Sequence, residues 1–190
     1  MAAADEPAQV PAWEASVVER ARAGDRAALR AIYEEHAPRI QRFLRDLLGD
    51  RSAASDATQE TFARAFARLA SLRELDRLVP WLFGIARLVA LEHGKARRRE
   101  RGTQVQVEEL EITTPEDVLL GLEAQHVVGK ALSGLSPDRR AALLLRIDHR
   151  LAYEDIAELL GWTVAKAKVE IHRARRVLRA RLEAWAGEVP

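Results

Sequence analysis

Cysteine is absent from the 190 residues, and with it go disulfides, thiolate nucleophiles and thiolate metal sites. Long apolar runs are missing too, since nothing approaches the ~20 residues that a membrane-spanning helix needs. The start of the chain, M-A-A-A-D-E-P-A-Q-V-P, has neither the basic residues nor the apolar stretch of a secretory signal. A soluble, cytoplasmic protein without direct membrane insertion is expected. The histidines (His36, His93, His126, His149, His172) are scattered, with no H-E-x-x-H pair and no glycine-rich phosphate loop beside them. Glu92-His93 and Asp148-His149 are sequence neighbours, which point to different sides on a helix. No catalytic residue, metal site, cofactor or small-molecule substrate is expected.

What the chain has instead is charge sorted by region, which a formal net charge of +1 conceals. The most informative stretch is Leu151–Arg181. Ile156, Leu159 and Leu160 belong to a short helix that ends at Gly161, a residue suited to a left-handed C-cap. Thr163 can cap a second helix, and two helices joined by so short a turn describe a helix-turn-helix. At ~100° per residue, Val164, Ala167, Ile171, Ala174 and Leu178 gather on one side of that second helix. Lys166, Val169, Arg173 and Arg176 fall opposite, with Lys168 and His172 toward one edge. Between Thr163 and Arg181 the only acid is Glu170. Lys166 stands in the first turn, where the helix dipole disfavours a cation, and a neighbouring polyanion would account for it. A solvated basic face is the bland alternative. The turn, the small apolar face and Lys166 together favour contact with DNA.

The rest reads as helix as well, giving an all-α class. An Ala/Pro-rich start, residues 1–13, is expected to be disordered. Glu14–Ala23 is a short helix ended by Gly24, and Asp25 caps the next, which carries Leu29, Ile32 and Tyr33 inward. Pro38 is expected to start or kink a further helix with Ile40, Phe43, Leu44, Leu47 and Leu48 buried, closed by Gly49-Asp50. In Ser52–Leu69, Phe62, Phe66 and Leu69 form an inner stripe, and Asp56, Gln59, Glu60 and Ala63 an outer one. After a loop with Arg73 and Arg77, Pro80 opens a helix that buries Trp81, Leu82, Ile85 and Val89 and ends in a basic tail containing Lys95, Arg97 and Arg98. Aromatics at the head and cations behind suit a single nucleic-acid strand. Thr103–Gly129 contains no Lys or Arg and begins as an acidic linker. Thr114-Pro115-Glu116-Asp117 matches a capping box ahead of a helix through Leu119, Leu122 and Val127. Ser136-Pro137 starts another helix with Leu143, Leu144 and Ile147.

D-A-T-Q-E-T-F at Asp56–Phe62 and W-L-F-G-I-A-R at Trp81–Arg87 resemble region 2 of the extracytoplasmic-function (ECF) sigma factors of bacterial RNA polymerase. The helix-turn-helix with H-R-A-R at His172–Arg175 resembles region 4 of the same family, in the same order. The resemblance covers about residues 16–186. It implies two small helical domains: a region 2 bundle at 14–101 and a region 4 domain at 115–186, joined by a flexible acidic linker at 102–114.

The resemblance also implies partners and roles. Asp56, Gln59 and Glu60 match positions that dock on the clamp helices of the polymerase's largest subunit. Arg73, Arg77, Trp81, Arg87, Lys95, Arg97 and Arg98 fall on elements that melt and hold the minus-ten promoter element. Thr163, Lys166, Lys168, Val169, His172, Arg173 and Arg176 fall on the helix that enters the major groove at the minus-thirty-five element. Of these, Lys168, Val169 and His172 match base-contacting positions and Arg173 a phosphate contact. An anti-sigma factor is a further implied partner. The chain departs from the family pattern at Leu88 (commonly Asn), Glu92 (commonly Asp), Gly94, Val169 (often Ser), Glu170 (often Arg) and Ala152, where Ser or Thr often caps. The expected function is promoter-specific initiation, without catalysis. The alternatives are a sigma-like or stand-alone helix-turn-helix regulator that binds DNA or polymerase without opening promoters.

Overall fold

The computed structural model describes residues 12–101 and 128–187. The acidic linker, the capping box at Thr114 and the helix expected through Leu119, Leu122 and Val127 lie outside the described residues, as does most of the N-terminal stretch 1–13. Every described element is helical: α1 (Ala12–Arg22), α2 (Arg26–Leu48), α3 (Arg51–Ala67), α4 (Leu78–Arg101), α5 (residues 128–133), α6 (Pro137–Ile147), α7 (Tyr153–Leu160) and α8 (Val164–Ala186). Two single 3₁₀ turns, Leu69–Ser71 and Leu75–Arg77, connect α3 to α4.

Helices α1–α4 form the N-terminal bundle. Its core joins Ile32, Ile40, Phe43 and Leu44 of α2 to Ala54, Ala57, Phe62 and Ala65 of α3, and to Leu82, Phe83 and Val89 of α4. The alanines on α3 keep its inner face thin, so α2 and α4 can close on it. Thr58 and Thr61, also buried there, return their hydroxyls to the Ala54 and Ala57 carbonyls at 2.7 and 2.6 Å. That satisfies groups which would otherwise be costly inside.

Helix α2 differs from the sequence reading. It is one element of 23 residues, not two, and Pro38 lies inside it. The proline forfeits one backbone bond, but Ile32 and His36 before it and Ile40, Phe43 and Leu44 after it are all buried on one stripe. Tertiary packing on both sides therefore outweighs the break. Asp25 caps its start by accepting from Ala27 and Ala28, and Gly49 ends it at φ 69°. Gly94 lies inside α4, which continues to Arg101. Two residues expected inside are at the surface. Tyr33 is 40% exposed, its ring laid edge-on against Phe62 at 4.8 Å, and Ile147, the last residue of α6, is 43% exposed.

Helices α5–α8 form the second unit. Ala141–Leu145 of α6, Ile156 and Ala157 of α7, and Ala167, Ile171 and Ala174 of α8 fill its interior. The expected turn is present: Gly161 adopts φ 63°, and the Trp162 N–H reaches the Ala157 carbonyl at 2.7 Å. Thr163 accepts a hydrogen bond from the Lys166 N–H at 3.1 Å, so α8 starts capped. By contrast α7 starts at Ala152, whose extended backbone suits a cap but whose side chain can accept nothing. Ala152→Ser should stabilise the fold by about 0.5–1 kcal/mol, read as an increase in the urea midpoint at unchanged slope.

Candidate nucleic-acid and polymerase interface

The outer side of α8 is what the wheel requires: Lys166, Lys168, Val169, His172, Arg173 and Arg176 are all exposed. Two of the cations lie over rings of the preceding segment, which limits where they can point. Lys166 Nζ is 4.9 Å from the centre of Trp162 and Lys168 Nζ is 5.4 Å from Tyr153. The Trp162 ring gives Lys166 a partner within the chain, so its place in the first turn does not by itself require a polyanion. Thr163 is committed to the cap. Glu170 is buried, 8% exposed, between two guanidiniums. Arg139 of α6 donates to its Oε2, and Arg173 donates to its Oε1 at 3.0 Å. The hydrogen bond from Arg139, then the two positive charges, hold the Glu170 carboxyl below the usual carboxylate range.

The residues assigned to the minus-ten element divide into two groups. Arg73 and Lys95 are exposed. Trp81 is half-buried and packed on the core, and Arg97 pairs with Asp50 at 3.0 Å. The Arg98 side chain lies outside the described residues. Arg77 and Arg87 instead face carboxylates of the C-terminal unit. Arg77 contacts Asp155 at 2.6 Å and Glu158 at 2.7 Å, both on α7, and Arg87 contacts Asp138 of α6 at 2.7 Å. The Glu158 hydrogen bond leads the causes that push the Arg77 guanidinium further up.

These pairs rim a junction centred on His149. Arg150, at φ 56°, turns the chain after α6, and the buried Arg146 holds the turn by donating to the Leu151 carbonyl at 2.9 Å. The turn sets the His149 imidazole, 3% exposed, against Phe83 and Phe43 at ring separations of 4.6 and 5.7 Å. Arg39 of α2 donates to the His149 carbonyl at 2.9 Å, and Arg140 of α6 donates to the Leu47 carbonyl near the end of α2 at 2.8 Å. Burial pushes the His149 pKa down to about 4, and the Arg39 and Arg42 charges push the same way. Its Nε2 has no hydrogen-bond partner among the described residues. Sequence gave no sign of this seat, because His149 read as one more scattered histidine beside Asp148.

On α3, Asp56 and Gln59 are exposed. Beside Gln59 lies a groove of about 200 Å³ bordered by Tyr33, Pro38, Gln41, Ser55 and Thr58. Glu60 is less available. It accepts from His93 at 2.8 Å and from Arg64, which also binds Glu92. The His93 hydrogen bond leads the causes that hold the Glu60 carboxyl low. Glu92 and His93, expected to face apart, thus feed one network tying α4 to α3. Of the departures from the family pattern, Glu92 belongs to that network, while Leu88 is 49% exposed. Among the described residues no cluster could hold a metal ion, and no helix is long and apolar enough to cross a membrane.

A helix-turn-helix with a cationic outer face, attached to a helical bundle, is the architecture of a DNA-binding protein. The chain matches the family models described as Sigma-70 region 2 over residues 32–100 and Sigma-70, region 4 over residues 125–178. The RNA polymerase sigma-H factor of Pseudomonas aeruginosa is 30% identical over 178 residues, covering 88% of this chain and 92% of that protein. The ECF RNA polymerase sigma factor SigL of Mycobacterium tuberculosis is 31% identical over 169 residues, covering 87% and 95%. Among solved structures, the sigma factor RpoE of Bartonella quintana, in complex with the anti-sigma factor NepR, superposes with a TM-score of 0.68 at 28% identity, covering 81% of this chain and 96% of that one. CnrH, in complex with the cytosolic domain of CnrY, shares the fold with a TM-score of 0.70 at 23% identity, covering 90% and 97%. The chain belongs to the ECF sigma factors of the sigma-70 family. It directs RNA polymerase to promoters and is not an enzyme.

Acid should loosen the junction between the two units. Above pH ~6.5 the imidazole is neutral whether seated or released. Between that value and about 4, only the released imidazole takes up a proton, so falling pH favours release. Asp148, whose carboxyl burial pushes up, acts in the opposite sense. The contribution of His149 is therefore isolated by difference: the radius of gyration should rise between pH 7 and 5 in the wild type and less in His149→Leu. Parallel curves would assign the transition to other groups.

Proposed function

We propose a division of labour among three faces. The exposed stripe of α3 around Asp56 and Gln59, with the adjoining groove, docks on the clamp helices of the polymerase's largest subunit. Glu60 supports that face from within its ion network. The segment from Arg73 to Lys95 and Arg97, with Trp81 at its head, holds the non-template strand of the minus-ten element. The outer side of α8 enters the major groove at the minus-thirty-five element. Lys168, Val169 and His172 face base edges, while Lys166, Arg173 and Arg176 follow phosphates. Domain limits at 14–101 and 115–186, with an acidic linker at 102–114, fit this division. An anti-sigma factor is the proposed regulator, as NepR is for its bound sigma factor.

The observation that carries this reading is the capped, exposed α8. Six residues of the predicted minus-thirty-five set share its solvent side while Ala167, Ile171 and Ala174 are buried behind them. The docked arrangement adds a condition. Arg77 and Arg87 cannot bind phosphates while Asp155, Glu158 and Asp138 hold them, so promoter engagement requires the units to part.

Run-off transcription with core polymerase and a promoter library tests the whole. Discrete starts on a few fragments are expected, lost in Asp56→Ala/Gln59→Ala together with core binding. Core binding without transcripts would favour a regulator that binds polymerase and does not open promoters. On the selected fragments, Lys168→Ala and His172→Ala should change which bases are preferred. Arg176→Ala should weaken every fragment alike and lower the salt slope of binding by about one. Uniform losses in all of these variants would overturn the division into base and phosphate contacts.

A further inference from the structure

Glu170 is the one acid between Thr163 and Arg181, a stretch otherwise rich in cations, and a carboxylate facing DNA should repel phosphate. The structure shows that it does not face outward. It is buried, and each oxygen receives one guanidinium, Arg139 at Oε2 and Arg173 at Oε1. Burying a carboxylate is costly unless its oxygens are matched by donors, and here two cations match them. The group as a whole therefore carries a net positive charge.

The geometry leaves both arginines with work to do. A guanidinium has five N–H donors. Arg139 gives Glu170 its Nε–H and Arg173 gives one Nη1–H, while the side chains stay 46% and 61% exposed. Arg77 is arranged differently, with both terminal nitrogens on carboxylates. Arg139 is also oddly placed for a merely structural residue. It stands in the first turn of α6, right after Pro137 and Asp138, where the dipole disfavours a cation. Around α8, Glu170 lies at the edge between the buried seam of Ala167 and Ala174 and the outer side that carries Lys166 and Arg173. Pinning Arg139 to it puts a cation from another helix on the flank of the outer side.

We infer that Glu170 is a positioning residue for promoter binding, a buried carboxylate that holds Arg139 and Arg173 side by side as one grip on the DNA backbone. Arg139 is then a phosphate contact outside the recognition helix. The inference rests on the reading of α8 as the minus-thirty-five helix. Its direction is counterintuitive: removing the negative charge of Glu170 should weaken DNA binding, because two oriented forks become two loose side chains. If the triad were only a bridge between α6 and α8, the same change would leave affinity unaltered in folded protein, or raise it.

The test uses holoenzyme assembled with core polymerase and a promoter duplex that the wild type selects from a library randomised at the minus-thirty-five element. Affinity is measured from about 50 to 200 mM salt, where phosphate contacts show as slope. Arg139→Ala should lower affinity about tenfold, what one charge-assisted contact is worth, equally across minus-thirty-five variants, with a slope smaller by about one. Arg139→Lys should restore the slope and only part of the affinity, since an ammonium keeps the charge without the fork. Glu170→Gln should also weaken binding, and should have no further effect when Arg139 and Arg173 are both alanine. Unchanged or tighter binding by folded Glu170→Gln, or an unchanged slope in Arg139→Ala, would overturn the proposal. Thermal unfolding establishes that each variant is folded. If Glu170→Gln melts below the assay temperature, the exposed Arg139 substitutions decide the matter alone. Lys168→Ala and His172→Ala run in parallel separate two failures. If they leave promoter choice intact, the reading of α8 fails. If they alter it while Arg139→Ala does nothing, only this inference fails.

Discussion

The arrangement of this molecule depends on one imidazole. His149 leaves the C-terminal unit at the turn after α6 and seats in the N-terminal one between Phe43 and Phe83. The two phenyl rings already meet edge-to-face at 5.2 Å, so the seat is a rigid aromatic corner, not a gap that collapses around its guest. Because the imidazole must be neutral to enter, and its Nε2 finds no partner there, the junction is tight without being strongly bound. An apolar side chain would fit the same place without those penalties.

Around that corner the polar contacts are of two kinds, and their strengths differ. Arg39 and Arg140 donate to main-chain carbonyls near the end of one helix or just beyond another. Arg140 is buried deeply enough that desolvation lowers its pKa, and it matches that burial with two carbonyls, Leu47 across the junction and Leu132 in its own unit. Arg77 and Arg87 lie nearer the rim and pair with carboxylates. These pairs are partly buried, and their solvent-facing side is open to screening by salt. A promoter strand presents a row of phosphates at high local density. The rim pairs are therefore the part of the junction that nucleic acid can exchange most easily, and the His149 seat and the main-chain bonds set the resistance to opening.

Much of this was legible in the sequence, and the reason is local. The cap at Asp25, the left-handed Gly49 and Gly161, the Thr163 cap and the sides of α8 all follow from residues within a few positions of one another. Pro38 weighs as a helix breaker on the peptide scale, whereas the buried stripes on both sides of it carry α2 through. The junction was illegible because it joins Phe43, Phe83 and His149, residues far apart in sequence with no periodicity between them. Asp138 and Asp155 stand in the first turns of α6 and α7, where the dipole favours any acid, and nothing local distinguishes such an acid from one that faces an arginine on another unit. The same holds for Glu60, whose place in the outer stripe and i,i+4 pairing with Arg64 are local but whose bond to His93 needed α4 to be placed.

Arginine, not lysine, recurs wherever this chain holds a charge in two environments. Arg64 bridges two carboxylates across α3 and α4. Arg77 bridges two on α7. Arg140 spans two carbonyls in different units, and Arg139 and Arg173 share one carboxylate. Each role uses the planar fork, which can satisfy two acceptors at fixed angles or bind one and keep donors in hand. The lysines of the outer face, Lys166 and Lys168, have no such task and rest on rings, where an ammonium is attracted without being directed. On the proposed reading of α8, arginines with a carboxylate partner inside the protein are already oriented before any phosphate arrives. Pre-orientation lowers the conformational entropy lost on binding, which gives a buried acid a physical reason to persist at the edge of a basic face.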